Sequence, residues 1–118
     1  MNSFLHAATH EAIESSGLDL EKVDRSRVGL CVGNMASSNT QLLEYIEESR
    51  DNAYKTVNRL SMLQVLTNIP CATLNVKYKF NGPSLTVSTA CATGLSAVLE
   101  GYKWIKYGEA DVAVVGAT

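Results

Sequence analysis

No apolar run in the sequence approaches the roughly 20 residues that a membrane-spanning helix needs. Charge of one sign is not in excess either. Lys and Arg number 10, Asp and Glu 12, and the net charge is −2. That balance leaves neither a polybasic membrane patch nor the electrostatic footprint of a nucleic-acid binder. Cysteine is scarce and odd in number. Cys31, Cys71 and Cys91 form no Cys-x-x-Cys pair, which argues against a disulfide scaffold. A reducing, intracellular compartment is expected, either the cytoplasm or the mitochondrial matrix. Gly29 and Gly33 do not make the Gly-x-Gly-x-x-Gly fingerprint of a dinucleotide site. Residues 1–16 carry His, Glu and Ser and lack an apolar h-region, so no targeting segment is read there. Internal repeats, low-complexity tracts and linkers are also missing.

What is there is an alternation of helix and strand in 118 residues, enough for one small domain or part of a larger one. Hydrophobic residues at 46% and charged residues at 19% are ordinary for a globular protein. Phe4, Leu5, Ala8, Ala12 and Ile13 fall at helical spacing, with a stop at Ser16-Gly17. Val28 to Val32 is a continuous apolar strand of the kind buried on both faces. Asn34 to Asn39 reads as a loop of small residues. Leu42, Leu43 and Ile46 suggest a second helix, with a polar stretch from Glu47 to Asn58. Leu60 to Leu66 is apolar without a clear period. Pro70 suits the first turn of a helix running through Tyr78. A strand at 85–89, a helix at 91–107 and a strand at 112–115 follow. Such alternation predicts an α/β fold with a largely parallel sheet.

Cys91 is the candidate catalytic residue. It ends the β-branched run Leu85 to Thr89 and opens a helical pattern, at a strand-to-helix elbow. Unpaired N–H groups and the helix dipole meet there, and such positions favour the nucleophilic thiolate. The alternative is a small packed cysteine in a first helical turn. In the helix itself, Leu95, Val98, Leu99, Tyr102 and Ile105 make an apolar face, which reads as core packing. Gly94, Ala97 and Gly101 are small enough for close backbone approach. His6, His10 and Glu14 stand at i, i+4, i+8 and could present a metal stripe, but His-Glu-x-x-His is absent and a solvated polar face is preferred. Cys31 and Cys71 read as packed apolar thiols.

Three motifs in order carry a resemblance: Asn81-Gly82-Pro83, then Val87-Ser88-Thr89-Ala90-Cys91-Ala92-Thr93-Gly94, then Gly108-Glu109-Ala110-Asp111-Val112-Ala113-Val114-Val115-Gly116. The chain resembles the β-ketoacyl-acyl-carrier-protein synthases, the condensing enzymes of fatty acid and polyketide synthesis. Weaker similarity covers Ala7 to Asp19, Arg27 to Gly33, and Asn68. The resemblance implies a partial thiolase-like fold: a mixed, mostly parallel sheet with helices on both faces and the nucleophile cysteine at the elbow. Residues 1–118 would then be a partial N-terminal synthase domain. Cys91 would carry the acyl thioester that condenses with malonyl-acyl-carrier protein, without metal or organic cofactor.

The family's partner histidines and the loop supplying a second oxyanion-hole amide belong to regions this sequence does not contain. Acyl-carrier protein and a second copy of the chain, paired through the strand at 85–89, are the implied partners. Ala36 matches a segment bordering the acyl pocket, where a small side chain would admit longer acyl chains. In the resembled fold, a first strand preceding this sequence lies between the strands at 28–32 and 112–115. The 118 residues alone are therefore expected neither to condense substrates nor to fold stably. Alternatives are a polyketide synthase ketosynthase domain, a thiolase-like acyltransferase acting on CoA esters, and a non-catalytic dimerising fragment.

Overall fold

The computed structural model describes residues 3–35, 39–52, 63 and 65–118. Among the described residues, four helices and three strands stand on the sequence as α1 (Ser3–Ser16), β1 (Val28–Gly33), α2 (Asn39–Asn52), α3 (Ile69–Tyr78), β2 (Ser84–Val87), α4 (Thr93–Lys106) and β3 (Val112–Ala117). Short 3-10 turns at Arg25–Arg27 and Ala90–Ala92 lead into β1 and α4. Ala36 lies outside the described residues, as does most of Leu60 to Leu66.

The unbroken apolarity of β1 dictates its place. All six of its residues are buried, and the strand period sends alternate side chains to opposite layers. Val28, Leu30 and Val32 join Leu5 and Ile13 of α1 and Leu74 and Tyr78 of α3 in one core. Cys31 joins Ala97 and Trp104 of α4 in a second core on the other face. Each large aliphatic side chain so buried contributes roughly 1.5–3 kcal/mol. The result is a three-layer arrangement, α/β as the alternation predicts and with helices on both faces as the resemblance implies.

The sheet order is β2-β1-β3 and both pairings are parallel. This corrects the expected missing partner between the strands at 28–32 and 112–115. Val28 pairs directly with Val112 and Gly33 with Ala117. The register is pinned at one end by Arg27, whose guanidinium bonds Asp111 at 2.6 Å while the Asp111 N–H donates to the Arg27 carbonyl at 2.8 Å. β2 stands at the sheet edge, as expected, but is shorter than read: it ends at Val87.

Helix boundaries follow local chemistry. Gly17 closes α1 with φ 69, a conformation that costs glycine little. Pro70 occupies the first turn of α3. α2 runs on to Asn52 through residues read as a polar stretch. In α1 the buried face is Leu5, Thr9 and Ile13, whereas Phe4 is exposed, because the stripe rotates it off the sheet.

α4 departs most from expectation. Its apolar stripe is not core: Leu95 is 75%, Tyr102 58% and Val98 and Leu99 50% exposed. The face against the sheet is Thr93, Ala97, Gly101 and Trp104. Close approach explains the inversion. A Cβ on Gly101 would lie 2.4 Å from Val115 Cγ1, so large side chains have no room on that side. The helix also begins later than read: Cys91 belongs to the preceding 3-10 turn, and α-helical geometry starts at Thr93.

Candidate active site at the Cys91 elbow

β2 ends at Val87, and the chain passes through Ser88 and Thr89 into the Ala90–Ala92 turn. Val87 O accepts from the Asn34 N–H at 3.0 Å, and Gly33 O accepts from the Thr118 N–H at 2.9 Å. The elbow thus sits at the carboxyl edge of a parallel sheet, where open α/β folds form their sites.

Ala90 adopts φ 49, a left-handed conformation that a non-glycine residue seldom holds without support. Three side-chain hydrogen bonds supply it. The Thr93 hydroxyl donates to Ala90 O at 2.6 Å and accepts from the Thr89 N–H at 2.9 Å. The Thr89 and Ser96 hydroxyls meet at 2.8 Å. Thr93 is itself buried, with its methyl against β1. Ala92 at the N-cap of α4 offers no side-chain cap, so the N–H groups of the first turn are not claimed by a capping side chain.

The three free thiols differ sharply in access. Cys91 is exposed, while Cys31 and Cys71 are buried. Burial, with smaller effects from the neighbouring Cys71 and Glu100, pushes the Cys31 thiol up to about 11. Cys71 Sγ lies 3.4 Å from Ser84 Oγ and directs its weak donor toward Leu30 O and Leu85 O, at 3.7 and 3.6 Å. Both are packed thiols, as read. Of the three thiols, Cys91 is the one open to solvent.

The structure keeps the histidines elsewhere. His6 Nε2 is 3.1 Å from Thr73 Oγ1, tying α1 to α3. Partial burial and then the charge of Lys77 lower its pKa. His10 pairs with Glu14 at 3.4 Å on the exposed face of α1. α1 packs on the layer opposite α4, so neither ring belongs to the elbow. Among the described residues no three His, Cys, Asp or Glu side chains are grouped to hold a metal ion, and no helix is long and apolar enough to cross a membrane.

Two contributors escaped the sequence reading. Thr93 stands in the motif around Cys91 without a role of its own in the sequence pattern, although a Thr directly after a turn readily competes for local backbone groups. Asn34, buried beside the elbow, donates from Nδ2 to Thr67 O at 3.1 Å. Nothing in the local sequence pairs residues 33 positions apart.

A family model described as "Beta-ketoacyl synthase, N-terminal domain" matches residues 1–118. The mitochondrial 3-oxoacyl-[acyl-carrier-protein] synthase of Arabidopsis thaliana is 28% identical over 112 residues, which cover 94% of this chain and 24% of that protein. A hybrid PKS-NRPS synthetase of Xenoacremonium sinensis is 29% identical over 110 residues, 93% of this chain and 3% of that protein. Among solved structures, the ketosynthase complex of a type II PKS with its acyl-carrier protein superposes with a TM-score of 0.88 at 25% identity, covering 93% of this chain and 32% of the matched chain. The chain therefore spans about a quarter of the length of the mitochondrial synthase.

Proposed function

The chain belongs to the β-ketoacyl synthase N-terminal domain family, and from that membership we propose that it is the nucleophile-bearing part of a 3-oxoacyl-[acyl-carrier-protein] synthase. The observation that carries the reading is the exposed thiol of Cys91, held on a hydroxyl-braced elbow at the carboxyl edge of a parallel sheet.

In the whole protein, the Cys91 thiolate attacks the thioester carbonyl of an acyl-carrier protein. The acyl group moves to Sγ, and the carrier's thiol leaves. The Cys91 N–H is one donor to the oxyanion formed on the way. Malonyl-acyl-carrier protein then loses carbon dioxide, and its carbanion attacks the Cys91 thioester. The β-ketoacyl product leaves on the carrier two carbons longer, and the Cys91 thiolate is restored. Histidines outside this sequence, implied by the family, stabilise the malonyl enolate. No redox step is involved, so no redox cofactor is required.

Fatty acid synthesis is the pathway we favour, on the wording of Tyr78-Lys79 and Gly82-Pro83. A polyketide ketosynthase is the second reading, favoured by the relatives of that type. Ala36 would border the acyl pocket, and Ala36→Phe in the whole protein should shorten the preferred acyl chain. An intracellular, reducing setting and a homodimer through the outer edge of β2, which among the described residues pairs only with β1, complete the proposal.

The deciding experiment is acylation followed by mass mapping. Whole protein incubated with acyl-acyl-carrier protein should gain one acyl group on the Cys91 peptide, and Cys91→Ala should gain none. Acylation that persists in the Cys91→Ala protein would overturn the assignment. Elongation assays with malonyl-acyl-carrier protein then separate one round of condensation from the repeated unreduced rounds of a polyketide enzyme.

A further inference from the structure

We infer that Thr93 is the positioning residue of the Cys91 elbow, acting through Ala90. This rests on the proposed role of Cys91 as nucleophile and adds a specific device to it. The device is a single hydroxyl used twice. Thr93 Oγ1 accepts a hydrogen bond from the Thr89 N–H at 2.9 Å and donates one to Ala90 O at 2.6 Å. These two backbone groups flank the Thr89–Ala90 segment. The clasp fixes Ala90 at φ 49 and thereby the direction in which the next residue, Cys91, leaves the backbone.

Three further observations support a dedicated clasp over incidental bonding. The left-handed conformation falls on alanine, which has no polar side chain to hydrogen-bond locally in its support. Thr93 is buried and its two bonds are part-buried, which limits competition from water for its hydroxyl. Its methyl group is seated against β1, where Gly33 makes the space: a Cβ at Gly33 would stand 2.5 Å from Thr93 Cγ2. The methyl anchors Thr93 against β1, while the hydroxyl alone makes the clasp. Thr93 does not touch the reacting thioester in this scheme. It positions the residue that does.

Serine and valine separate the two halves of the side chain. Thr93→Val keeps the methyl seat and removes the hydroxyl, whereas Thr93→Ser keeps the hydroxyl and removes the methyl. A merely structural threonine predicts that both variants lose stability and that neither alters Cys91 selectively. The clasp predicts a split. In the full chain, alkylation of Cys91 by iodoacetamide at neutral pH should slow about tenfold in Thr93→Val, which loses both part-buried hydrogen bonds of the clasp. It should stay within about twofold of wild type in Thr93→Ser, even if Thr93→Ser melts earlier.

A second variant covers the case in which Thr93→Val does not fold. Glycine adopts the left-handed conformation without help, so adding Ala90→Gly to Thr93→Val should restore both folding and most of the Cys91 rate. The inference is overturned if Thr93→Val alkylates as fast as wild type, if Thr93→Ser is as slow as Thr93→Val, or if Ala90→Gly restores nothing. A wild-type Cys91 that alkylates no faster than Cys31 overturns the nucleophile reading itself and this inference with it. A fast wild-type Cys91 with an unaffected Thr93→Val overturns the clasp alone.

Discussion

The methyl group of Thr93 occupies the place a side chain at Gly33 would take. A Cβ on Gly33 would lie 2.5 Å from Thr93 Cγ2, 3.0 Å from Thr93 O and 3.0 Å from Ala117 Cβ. One of those contacts is backbone, so the strain cannot be relieved by turning a flexible side chain. Gly33→Ala should therefore destabilise the chain by about 1–3 kcal/mol. It should also slow Cys91 alkylation, because the displaced Thr93 carries the hydroxyl bonded to Ala90. A thermal melt and a labelling time course on the same sample check both. A fully stable Gly33→Ala protein with wild-type labelling would show that the elbow tolerates displacement.

Thiol selectivity follows from access. Competitive alkylation at neutral pH should label Cys91 first and leave Cys31 unreacted in native protein. The pH dependence has a definite sign. Burial raises the Cys31 pKa to about 11, so the neutral thiol is the form the folded state prefers. That contribution to stability is intact below the unfolded value of about 8.5 and is lost as pH rises through the folded value. Cys31→Ala should accordingly flatten the loss of stability between those two limits in a melting series. Early labelling of Cys31 at neutral pH would contradict the packing.

The exposed stripe of α4 makes an opposite pair of predictions. Leu95→Gln alters a side chain that is 75% exposed, so the stability of the chain should move by no more than about 0.5 kcal/mol. Gly101→Ala gains about 1 kcal/mol in helix propensity but forces a Cβ to 2.4 Å from Val115 Cγ1. Overpacking costs typically about 1–3 kcal/mol, so the net change should be destabilising. Urea melts of the two variants would reverse in rank if the large residues of α4 were its packed face.

Edge exposure of β2 bears on association. Among the described residues β2 pairs only with β1, and Leu85 on it is 41% exposed. A free, short apolar edge is a template for pairing with another strand. The whole protein should be dimeric by light scattering, and Leu85→Lys should shift it toward monomer. A monomeric active enzyme would remove β2 from the interface.

Much of this was legible in residue order because it rests on local chemistry. The unbroken apolarity of Val28–Val32 marks a strand covered on both faces. Gly17 and Pro70 mark a helix end and a helix start through backbone geometry. The motif around Cys91 places a thiol at an elbow. The face of α4 that meets the sheet was not legible. Periodicity identifies which residues share a side of a helix, but it does not say which side is against the sheet. That choice follows from how near the helix can come, and the small side chains of Ala97 and Gly101 allow it closer than the Leu95–Ile105 stripe would.

Pairing and bracing across long separations likewise belong to the tertiary structure. Whether β3 lies directly beside β1 depends on hydrogen bonds between residues such as Val28 and Val112, and no local pattern encodes that neighbour. The same holds for the seat of Thr93 against Gly33, sixty positions earlier in the chain. The sequence by itself determined that a cysteine would stand at a strand-to-helix turn in an α/β chain, because propensity and turn chemistry act between near neighbours. Only the folded backbone decided which thiol would be exposed and what would hold it in place, because burial and close contact exist only once distant segments have met.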